Sequence, residues 1–495
     1  MNKRFLTFDF GASSGRGILA DYDGQRLSVR EIHRFVNEPV NAFGHYYWDL
    51  LRLFSEMKTG LLKLRREGIT DIASMGVDTW GVDFALLDAY DKPLGNPLYY
   101  RDSFTDGAME AVYSLIPKRE LYERTGIQFM KFNTIFQLSA LRRRYPAMLD
   151  AAKTMLLMPD LLNFMLTGVK SAEYSMASTT QLLDVRAQSW DTEILKRLDL
   201  PERIFLPVIR PGQILGETTE AIRDETGMKL PVAAVCGHDT GSAVLAIPME
   251  RGERCAYISC GTWSLLGVEL DAPRTDDAAY AIEYTNEGGF GGTIRFLKNI
   301  MGLWIYQEVK RELEKGTGSI DYAVLDAEVA AAPTFARFID PDAAAFFEKG
   351  NMIGKIRDYC TVTGQSAPET RGEIFRCVLE SLAMKYRYAV EQLEAMLGYA
   401  LPVIRVVGGG CKDKLLMDYT ARATGRRVLA GPVEATAIGN ICAQLIATGE
   451  VADVWQARSL VSASFGVEDY TVSDRAEWDE QYRRFLNLIE KKTEE

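Results

Sequence analysis

At 495 residues the chain is too long for one compact hydrophobic core, so its length predicts two domains of ordinary α/β size. Its apolar content of 47% and charged content of 25% are typical of a globular protein that folds without help. The net charge of −11 disfavours nucleic acid and anionic membranes as partners. The sequence has no run of about 18 apolar residues that would predict a transmembrane helix, and Asp9 interrupts any signal-peptide core, so a cytoplasmic protein is expected.

Seven cysteines are scattered along the chain, at positions 236, 255, 260, 360, 377, 411 and 442. Their number is odd and none forms a C-x-x-C motif, which disfavours a zinc site and a secreted disulfide framework. The spacing leaves open whether Cys360 and Cys377 meet.

The first 90 residues predict a strand-rich sheet with one crossover helix. Strands are predicted over 5–10, 17–22, 27–35, 72–79 and 82–88, and a helix over 49–68. From about 103 to 227 the pattern is mostly helical, as expected for an insertion or cap. A strand over 231–236 and a helix from Asp239 complete the first half.

The second half predicts a pair of strands followed by long helices and an alternating βαβα run. The predicted strands are 254–260, 264–270, 403–407 and 427–430, and the predicted helices are 298–313, 371–397, 412–424 and 435–448. Alternation of this kind indicates parallel strands, with Gly408–Gly410 at a strand's carboxyl end, where ligands bind in such sheets. From Asp474 a charged, solvated helix is expected.

Two glycine turns with the same outline lie half the chain apart. Phe8–Gly17 and Ile258–Gly267 each place a polar residue two positions before a glycine, hydroxyls just after it and a second glycine six positions on. A third strand runs into the glycines Gly408–Gly410. Hairpins with hydroxyls and free N–H groups can wrap phosphate oxygens, so the duplicated pair predicts a phosphate clamp for a nucleotide between two related halves.

Asp9 lies at the end of an apolar strand, directly before the first glycine turn. A carboxylate there could hold Mg²⁺, directly or through water, beside nucleotide phosphates. The alternative is a buried aspartate that hydrogen-bonds the N–H groups of its own turn. The hydroxyls near the glycines are common turn formers too, but their appearance in two matched turns favours phosphate binding; they are Ser13, Ser14, Thr262 and Ser264.

Asp239 is the best candidate for a catalytic base. It follows a strand and starts a helix, so its carboxylate should emerge at the sheet's edge, where it could orient an acceptor hydroxyl and take its proton. An aspartate before Thr240 at a helix start is also a typical N-cap, and the sequence leaves the two roles even. His238 is a candidate substrate contact by position.

The segment Met75–Asp83 puts an aromatic residue and two carboxylates on a tight turn. Trp80 offers an apolar face to a sugar, and Asp78 and Asp83 offer acceptors for its hydroxyls. The alternative is a β-hairpin with a buried tryptophan. A Walker A loop, the protein-kinase signatures and a Ser-His-Asp pattern are absent from the sequence.

Taken together, these segments resemble the FGGY carbohydrate kinases, which share the fold of actin, sugar kinases and chaperone ATPases. The stretches 9–16 and 259–264 look like the two phosphate motifs of that family, and 408–410 looks like its adenosine motif. Further points of likeness are 78–84, 100–102, 238–240, 286–289 and 298–304. The resemblance extends from about residue 5 to 447.

The resemblance implies a role for each matching position. Asp239 would be the general base and Asp9 the carboxylate on the side of Mg²⁺, acting through water. The residues that would meet ATP are Ala12, Ser13, Ser14, Gly15, Arg16, Thr262, Gln307, Gly409 and Gly410. The residues that would meet the sugar are Gly81, His238, Asp239, Thr240 and Asn299. Two departures are visible, Cys260 where relatives often have serine and Gly241 where they often have alanine, and Cys260 could make the site sensitive to thiol reagents.

The implied fold is a pair of α/β domains with RNase H-like cores around a nucleotide cleft. The expected domains are 1–245, which binds sugar and carries the insertion, and 246–450, which binds ATP, followed by a helical extension over 451–495. Within the family the likeness is greatest to kinases that phosphorylate L-rhamnulose at its 1-hydroxyl with MgATP, in L-rhamnose catabolism. A kinase for L-fuculose, D-xylulose or another polyol, and an actin- or chaperone-like ATPase, stay open, as do a monomer and a homodimer.

Overall fold

The computed structural model describes residues 2–316, 318–471 and 474–490. The chain divides into two compact units, each described below by itself. The first unit is made of Met1–Arg251, Glu269–Leu297 and Ala435–Phe465. The second unit is made of Gly252–Val268, Lys298–Glu434 and Gly466–Glu495.

The strands are numbered along the chain. They are β1 (Lys3–Phe10), β2 (Ser14–Tyr22), β3 (Leu27–Val36), β4 (Val40–Ala42), β5 (His45–Tyr47), β6 (Ser74–Thr79), β7 (Phe84–Leu87), β8 (Thr154–Leu157), β9 (Ala172–Glu173), β10 (Leu183–Asp184), β11 (Ser189–Trp190), β12 (Val208–Ile209), β13 (Gln213–Glu217), β14 (Pro231–Ala234), β15 (Cys255–Cys260), β16 (Trp263–Leu270), β17 (Thr285–Gly288), β18 (Ile294–Met301), β19 (Val403–Val407), β20 (Arg427–Ala430) and β21 (Glu468–Tyr470).

The α-helices follow the same convention. They are α1 (Leu50–Arg66), α2 (Ala108–Leu115), α3 (Lys118–Thr125), α4 (Thr134–Arg144), α5 (Pro146–Ala151), α6 (Met158–Thr167), α7 (Tyr174–Ser178), α8 (Thr192–Arg197), α9 (Glu220–Thr226), α10 (Asp239–Leu245), α11 (Asp277–Ala281), α12 (Trp304–Glu314), α13 (Tyr322–Ala331), α14 (Met352–Val362), α15 (Arg371–Leu397), α16 (Lys414–Thr424), α17 (Ala435–Ala447), α18 (Val454–Ser464) and α19 (Ala476–Glu490). Short 3₁₀ turns cover Ser103–Thr105, Glu202–Ile204, Phe290–Gly292, Ala344–Phe346 and Gly409–Lys412.

The sheet of the first unit has the strand order β13-β14-β6-β1-β2-β3. Strands β1, β2 and β3 are antiparallel neighbours, whereas β6 is parallel to both β1 and β14. In this register Asp9 on β1 lies between Arg16 on β2 and Asp78 on β6. The strand order therefore puts one cation and a second carboxylate beside the predicted magnesium residue.

Helix α1 covers this sheet, as the sequence predicts. Asp49 caps its N-terminus by accepting a hydrogen bond from the N–H of Arg52. Its buried residues recur at helical spacing, among them Leu53, Met57 and Leu61. Burial of this apolar face in the core of the first sheet stabilises the helix, since helices of this length are marginal alone.

The second unit repeats the arrangement. Its strands β16-β15-β19-β20-β21 are hydrogen-bonded in that order, with β15 antiparallel to β16 and parallel to β19. The strands β2-β1-β6-β14 of the first unit have the same order of pairings, one antiparallel pair followed by two parallel pairs. The duplicated α/β core predicted from the two glycine turns is confirmed.

One predicted helix is wrong at its start. The sequence predicts a helix over 298–313, but β18 extends to Met301 and α12 begins at Trp304. The apolar residues Leu297, Ile300 and Met301 have helical spacing, yet they lie in a strand that is buried along most of its length. A strand buried on both faces loses the alternation that would distinguish it from a helix.

Two further elements differ in detail from the prediction. Strand β7 follows the turn after β6 but pairs with β8, so the segment around Trp80 is not a hairpin. The stretch predicted as a helical extension contains α18 and α19, and also β21, which pairs with β20.

In the part of the chain that the structure describes, no helix has both the length and the apolar character to cross a membrane.

Helix α17 belongs to the first unit although it lies far along the chain. Its Asn440 and Gln444 side chains are buried and hydrogen-bond to Thr7, Ser74 and Asp78 of β1 and β6. Buried polar groups need hydrogen-bond partners, and these two side chains find theirs on those strands and on each other. The first unit therefore continues beyond the boundary predicted at residue 245.

Candidate functional site

The turn between β1 and β2 is a tight, partly exposed loop. The N–H of Gly11 donates to the carbonyl of Ser14 at 2.9 Å. Asn37 holds the loop with two hydrogen bonds, from its side-chain amide to the carbonyl of Gly11 at 2.8 Å and from its N–H to the carbonyl of Ser13 at 3.0 Å. Ser13 is exposed, and Ala12 and Ser14 are half-buried. Gly15 is buried where any Cβ would overlap the ring of Phe35. The exposed part of this turn is where the sequence predicts phosphate contacts.

Asp9 is nearly buried at the base of that turn, with 4% of its surface exposed. Arg16 Nη2 lies 2.5 Å from Asp9 Oδ2, so the carboxylate has a cationic partner. Its other neighbour, Asp78, is fully buried and accepts from Asn440 Nδ2 at 2.5 Å. Burial, and then the charge of Asp9, hold the pKa of Asp78 well above its ordinary value. A buried carboxyl with a raised pKa therefore lies directly beside Asp9 in the sheet.

Asp239 is the first residue of α10, and His238 occupies the N-cap position. Asp239 Oδ1 accepts from the N–H of Thr240 at 2.5 Å and from its hydroxyl at 3.1 Å. About a third of the Asp239 side chain is exposed, 32%. The carboxylate is therefore not the N-cap of this helix, and it is accessible at the edge of the first sheet.

The loop before Asp239 is held by buried acceptors. The N–H of Gly237 donates to Glu173 Oε2 at 2.9 Å, and the N–H of His238 donates to Ser175 Oγ at 3.2 Å. The imidazole of His238 faces Gly81, where a Cβ would lie 3.3 Å from Nε2. A side chain at position 81 would make a tight contact with the ring, so that one of the two would have to shift by a few tenths of an ångström.

The segment around Trp80 differs from the sugar-binding turn that its composition suggests. Asp78 and Asp83 each have 0% of their surface exposed, so their carboxyls face the interior. Asp83 Oδ2 accepts from the indole N–H groups of Trp48 at 2.6 Å and Trp80 at 2.9 Å. Val82 sits in the left-handed region with φ of +68°, which costs a β-branched residue strain. The carboxylates hold this turn in place and leave the backbone around Gly81 as the surface next to His238.

In the second unit the β15–β16 turn is closed by the segment after β18. The N–H of Gly261 donates to the carbonyl of Trp263 at 2.8 Å, and the N–H of Trp304 donates to the carbonyl of Thr262 at 3.1 Å. Gly302 packs so tightly that a Cβ would lie 2.6 Å from Ser264 Oγ. The sequence predicted the turn but not the segment that closes it.

The glycines Gly408–Gly410 pack against the same turn. Gly408 has φ of +89° and a Cβ there would lie 2.9 Å from the carbonyl oxygen of Cys260. At Gly410 a Cβ would overlap the thiol of Cys260, whereas Gly409 is exposed and has no atom within 4 Å of that position. The second and third glycine motifs of the sequence therefore meet in one unit.

Two expectations at this turn are wrong. The hydroxyl of Ser264 is buried and hydrogen-bonds Tyr386 at 2.6 Å, so it faces the core rather than a phosphate. Burial raises the pKa of the Cys260 thiol to about 11, so at neutral pH it is a protonated, inaccessible thiol and unsuited to reagents. Thr262 stays half-buried, as do Asn299 on β18 and Gln307 on α12.

The structure brings the predicted residues together in two groups. The first unit holds Asp9, the turn 12–16, Gly81 and the segment 238–240. The second unit holds Thr262, Asn299, Gln307, Gly409 and Gly410. Sequence reasoning missed Arg295 and Glu173, whose charges in otherwise apolar or small-residue segments were the available signal.

The duplicated sheet core, with a glycine turn in each unit, matches the fold that the sequence resemblance implies, that of actin and the sugar kinases. The model of the N-terminal domain of the FGGY family of carbohydrate kinases matches residues 4–246, and that of the C-terminal domain matches residues 256–448. The chain belongs to the FGGY family of carbohydrate kinases.

Relatives of known name are similar along nearly the whole chain. A rhamnulokinase of Bacteroides thetaiotaomicron is 44% identical over 491 residues, which cover 99% of this chain and 100% of the relative. A rhamnulokinase of Halalkalibacterium halodurans is 44% identical over 470 residues, 95% of this chain and 99% of the relative.

Solved structures share the fold at low sequence identity. A xylulose kinase from Rhodospirillum rubrum superposes with a TM-score of 0.79 at 19% identity, over 99% of each chain. A glycerol kinase from Plasmodium falciparum with ADP superposes with a TM-score of 0.74 at 16% identity, over 99% of this chain and 98% of the other. The two-domain α/β fold predicted from the sequence is therefore confirmed.

Proposed function

We propose that this carbohydrate kinase transfers the γ-phosphoryl group of ATP to the 1-hydroxyl of L-rhamnulose, giving L-rhamnulose 1-phosphate and ADP. The rhamnulokinases that are 44% identical over nearly the whole chain support this substrate. The observation that supports the reaction is the placement of Asp239, an accessible carboxylate at the first position of α10.

Asp239 is proposed as the general base. As the acceptor oxygen bonds to the γ-phosphorus and the bond to ADP breaks, the hydroxyl proton passes to the carboxylate. Thr240 already occupies Oδ1 with two hydrogen bonds, which leaves Oδ2 for the acceptor. His238, Thr240, Gly81 and Asn299 are proposed as the other sugar contacts.

Asp9 is proposed to hold the magnesium ion of MgATP through water. Mg²⁺ prefers oxygen ligands and keeps several waters, using one or two carboxylates besides substrate phosphates. Asp9 fits this role because its carboxylate lies at the base of the exposed glycine turn, beside the cation Arg16. The bound ion would neutralise charge on the phosphates. The proposed ATP contacts are Ala12, Ser13, Ser14, Gly15, Arg16, Thr262, Gln307, Gly409 and Gly410.

The reaction is tested by measuring ADP release from MgATP with L-rhamnulose, L-fuculose, D-xylulose or glycerol. A large, selective stimulation by L-rhamnulose is expected. Preference for another acceptor would keep the kinase activity and overturn the proposed sugar. ATP turnover that no acceptor stimulates would favour the actin- or chaperone-like alternative.

The role of Asp239 is tested with Asp239→Asn. Loss of the base is expected to reduce kcat by about 10²- to 10⁴-fold, the usual contribution of general base catalysis, while the Kd for ATP stays within a few-fold. Asp224→Asn, an exposed position on α9, is the control and should keep wild-type kinetics. Equal losses of ATP affinity and turnover would show that Asp239 is structural.

A further inference from the structure

A hairpin of the first unit carries an ion pair inside the protein, next to His238. Glu287 on β17 and Arg295 on β18 are directly opposite in the antiparallel register. Arg295 has 0% of its surface exposed and Glu287 has 6%. Arg295 Nη1 lies 3.1 Å from Glu287 Oε2, and its Nε donates to the carbonyl of Gly288 at 2.9 Å. Such a pair stabilises a fold no better than apolar residues of similar size, so its value lies in what it contacts.

The guanidinium contacts the imidazole of His238. Arg295 Nη2 lies 3.1 Å from His238 Nδ1. A guanidinium has only donors, so at this contact Nδ1 accepts and the neutral ring carries its proton on Nε2. Nε2 is the nitrogen that faces Asp239, 3.4 Å from Oδ1.

Glu287 keeps the arginine in this position. Burial opposes ionisation of Glu287, but the charge of its partner Arg295 outweighs burial, and the pKa of the carboxyl lies below its ordinary value. Glu287 Oε2 lies 3.3 Å from Nδ1 of His238 but accepts no hydrogen bond from the residues that the structure describes, so Arg295 is the hydrogen-bond partner of that nitrogen. The backbone of His238 is fixed by Ser175, and Gly81 borders the other side of the ring.

We propose that Arg295, held by Glu287, is a positioning residue for phosphoryl transfer, because it fixes the His238 tautomer in which Nε2–H faces Asp239. This inference rests on the proposed role of Asp239 as base. Nε2 lies 3.4 Å from Oδ1, the oxygen that already accepts from the N–H and the hydroxyl of Thr240. Oδ1 is thereby held by its neighbours, which leaves Oδ2 for the acceptor hydroxyl. Small misplacements of a catalytic group lower the rate of the reaction, and a fixed side chain avoids this loss of rate.

The first test uses kinetics. Arg295→Met is expected to lower kcat about 10- to 100-fold with an unchanged KM for ATP, as for a misplaced catalytic group. Because this variant leaves Glu287 buried without its cation, its folding is at risk. The double variant Glu287→Met/Arg295→Met removes both charges and keeps an apolar volume, so it should match the wild-type Tm yet retain the kcat loss. A folded double variant with wild-type kcat would overturn the proposal.

The exposed ion pair Arg119–Asp277 of the same unit, 2.9 Å long, provides a matched control. Arg119→Met/Asp277→Met removes one pair of charges from the surface and should leave kcat unchanged. If it lowered kcat as much as the buried double variant, the effect would be one of overall charge, and the proposal would fail.

The second test reads the tautomer directly and needs no turnover. The chain has only three histidines, so ¹⁵N NMR of the imidazole rings, assigned with His238→Asn, resolves His238. The wild-type protein should show the proton on Nε2, and Glu287→Met/Arg295→Met a mixture of tautomers. A proton on Nδ1 in the wild type would overturn the proposal. Failure of the kinase function is distinguishable, because it would appear as wild-type protein without ketose-dependent ADP release.

Discussion

Asp83 is a buried carboxyl whose interactions differ from those of an ion pair. Its partners are neutral donors, the indoles of Trp48 and Trp80 and the amide of Gln137, which donates to Oδ1 at 3.0 Å. Burial raises the pKa of Asp83 to about 7, and these N–H groups offset it only in part. The folded protein therefore binds a proton at this residue over a pH interval in which the unfolded chain has released it.

This raised pKa makes stability depend on pH. A group that binds its proton more tightly in the folded state stabilises the fold below its unfolded pKa, and this stabilisation is lost as the pH rises to the folded pKa. Between the ordinary value of 3.8 and about 7, the contribution amounts to about 4 kcal/mol. The unfolding free energy of the wild type relative to Asp83→Asn should fall over this interval and then level off. Urea unfolding of both proteins from pH 4.5 to 8 measures this difference in unfolding free energy.

Asp23 is a suitable control for that series. It is exposed, and the N–H groups of Gln25 and Arg26 hold its pKa below the ordinary value. Asp23 is thus ionised in both states above pH 4.5, and Asp23→Asn should differ from the wild type by a constant amount. A constant difference for Asp83→Asn as well would contradict the raised pKa.

At the scale of elements, the contact between α10 and α17 connects the proposed base to a helix far along the chain. Gly439 of α17 packs on the backbone of α10, where any Cβ would overlap the carbonyl oxygen of Ser242. Backbone atoms cannot rotate away as side chains do. The position of α10, and with it Asp239, therefore depends on a glycine in another helix.

Gly439→Ala is expected to destabilise the protein although alanine is the better helix former. Helix propensity alone would contribute about 1 kcal/mol in favour of alanine. Overpacking between the two helices should outweigh it and lower the unfolding free energy by about 1–3 kcal/mol, with a loss of kcat as α10 shifts. Urea unfolding and steady-state kinetics measure both effects.

Gly354→Ala on α14 is the matched control. The nearest atoms to a Cβ there belong to the side chain of Asn351, which can move aside. This variant should be as stable as the wild type or more so. If both glycine variants were equally stable, close packing at Gly439 would not be limiting.

At the scale of the whole molecule, the first unit is assembled from three separate stretches of chain. Within it, α17 supplies the hydrogen-bond partners of Thr7, Ser74 and Asp78. Each buried polar group left without a partner costs about 1–3 kcal/mol, whereas a folded domain is stable by only about 5–15 kcal/mol. Residues 1–251 by themselves therefore lack the hydrogen-bond partners that the buried polar groups of β1 and β6 require.

A fragment of residues 1–251 is accordingly expected not to fold cooperatively. Its near-ultraviolet circular dichroism should lack native signals, and its urea transition should be broad. Adding a peptide of residues 435–465 should restore part of the signal, since it supplies α17. A fragment that unfolds cooperatively without the peptide would contradict the dependence on α17.

The sequence by itself determined the class of fold and the location of its glycine turns. Hydrophobic periodicity predicted α1 and α15 closely, because local spacing and caps specify where such helices begin and end. The repeated outline around Gly11 and Gly261 predicted two related sheet cores, because a tight hairpin imposes the same residue types wherever it occurs. These features depend on neighbours in sequence.

Only the tertiary structure decided which polar residues are accessible. The same residue type has different surroundings at three positions: Asp78 and Asp83 are fully buried, whereas the side chain of Asp239, at the first position of α10, is 32% exposed. The contact of His238 with Arg295 joins residues that are 57 positions apart. Burial and such contacts arise when distant segments pack together, and they set ionisation and orientation, which no local pattern encodes.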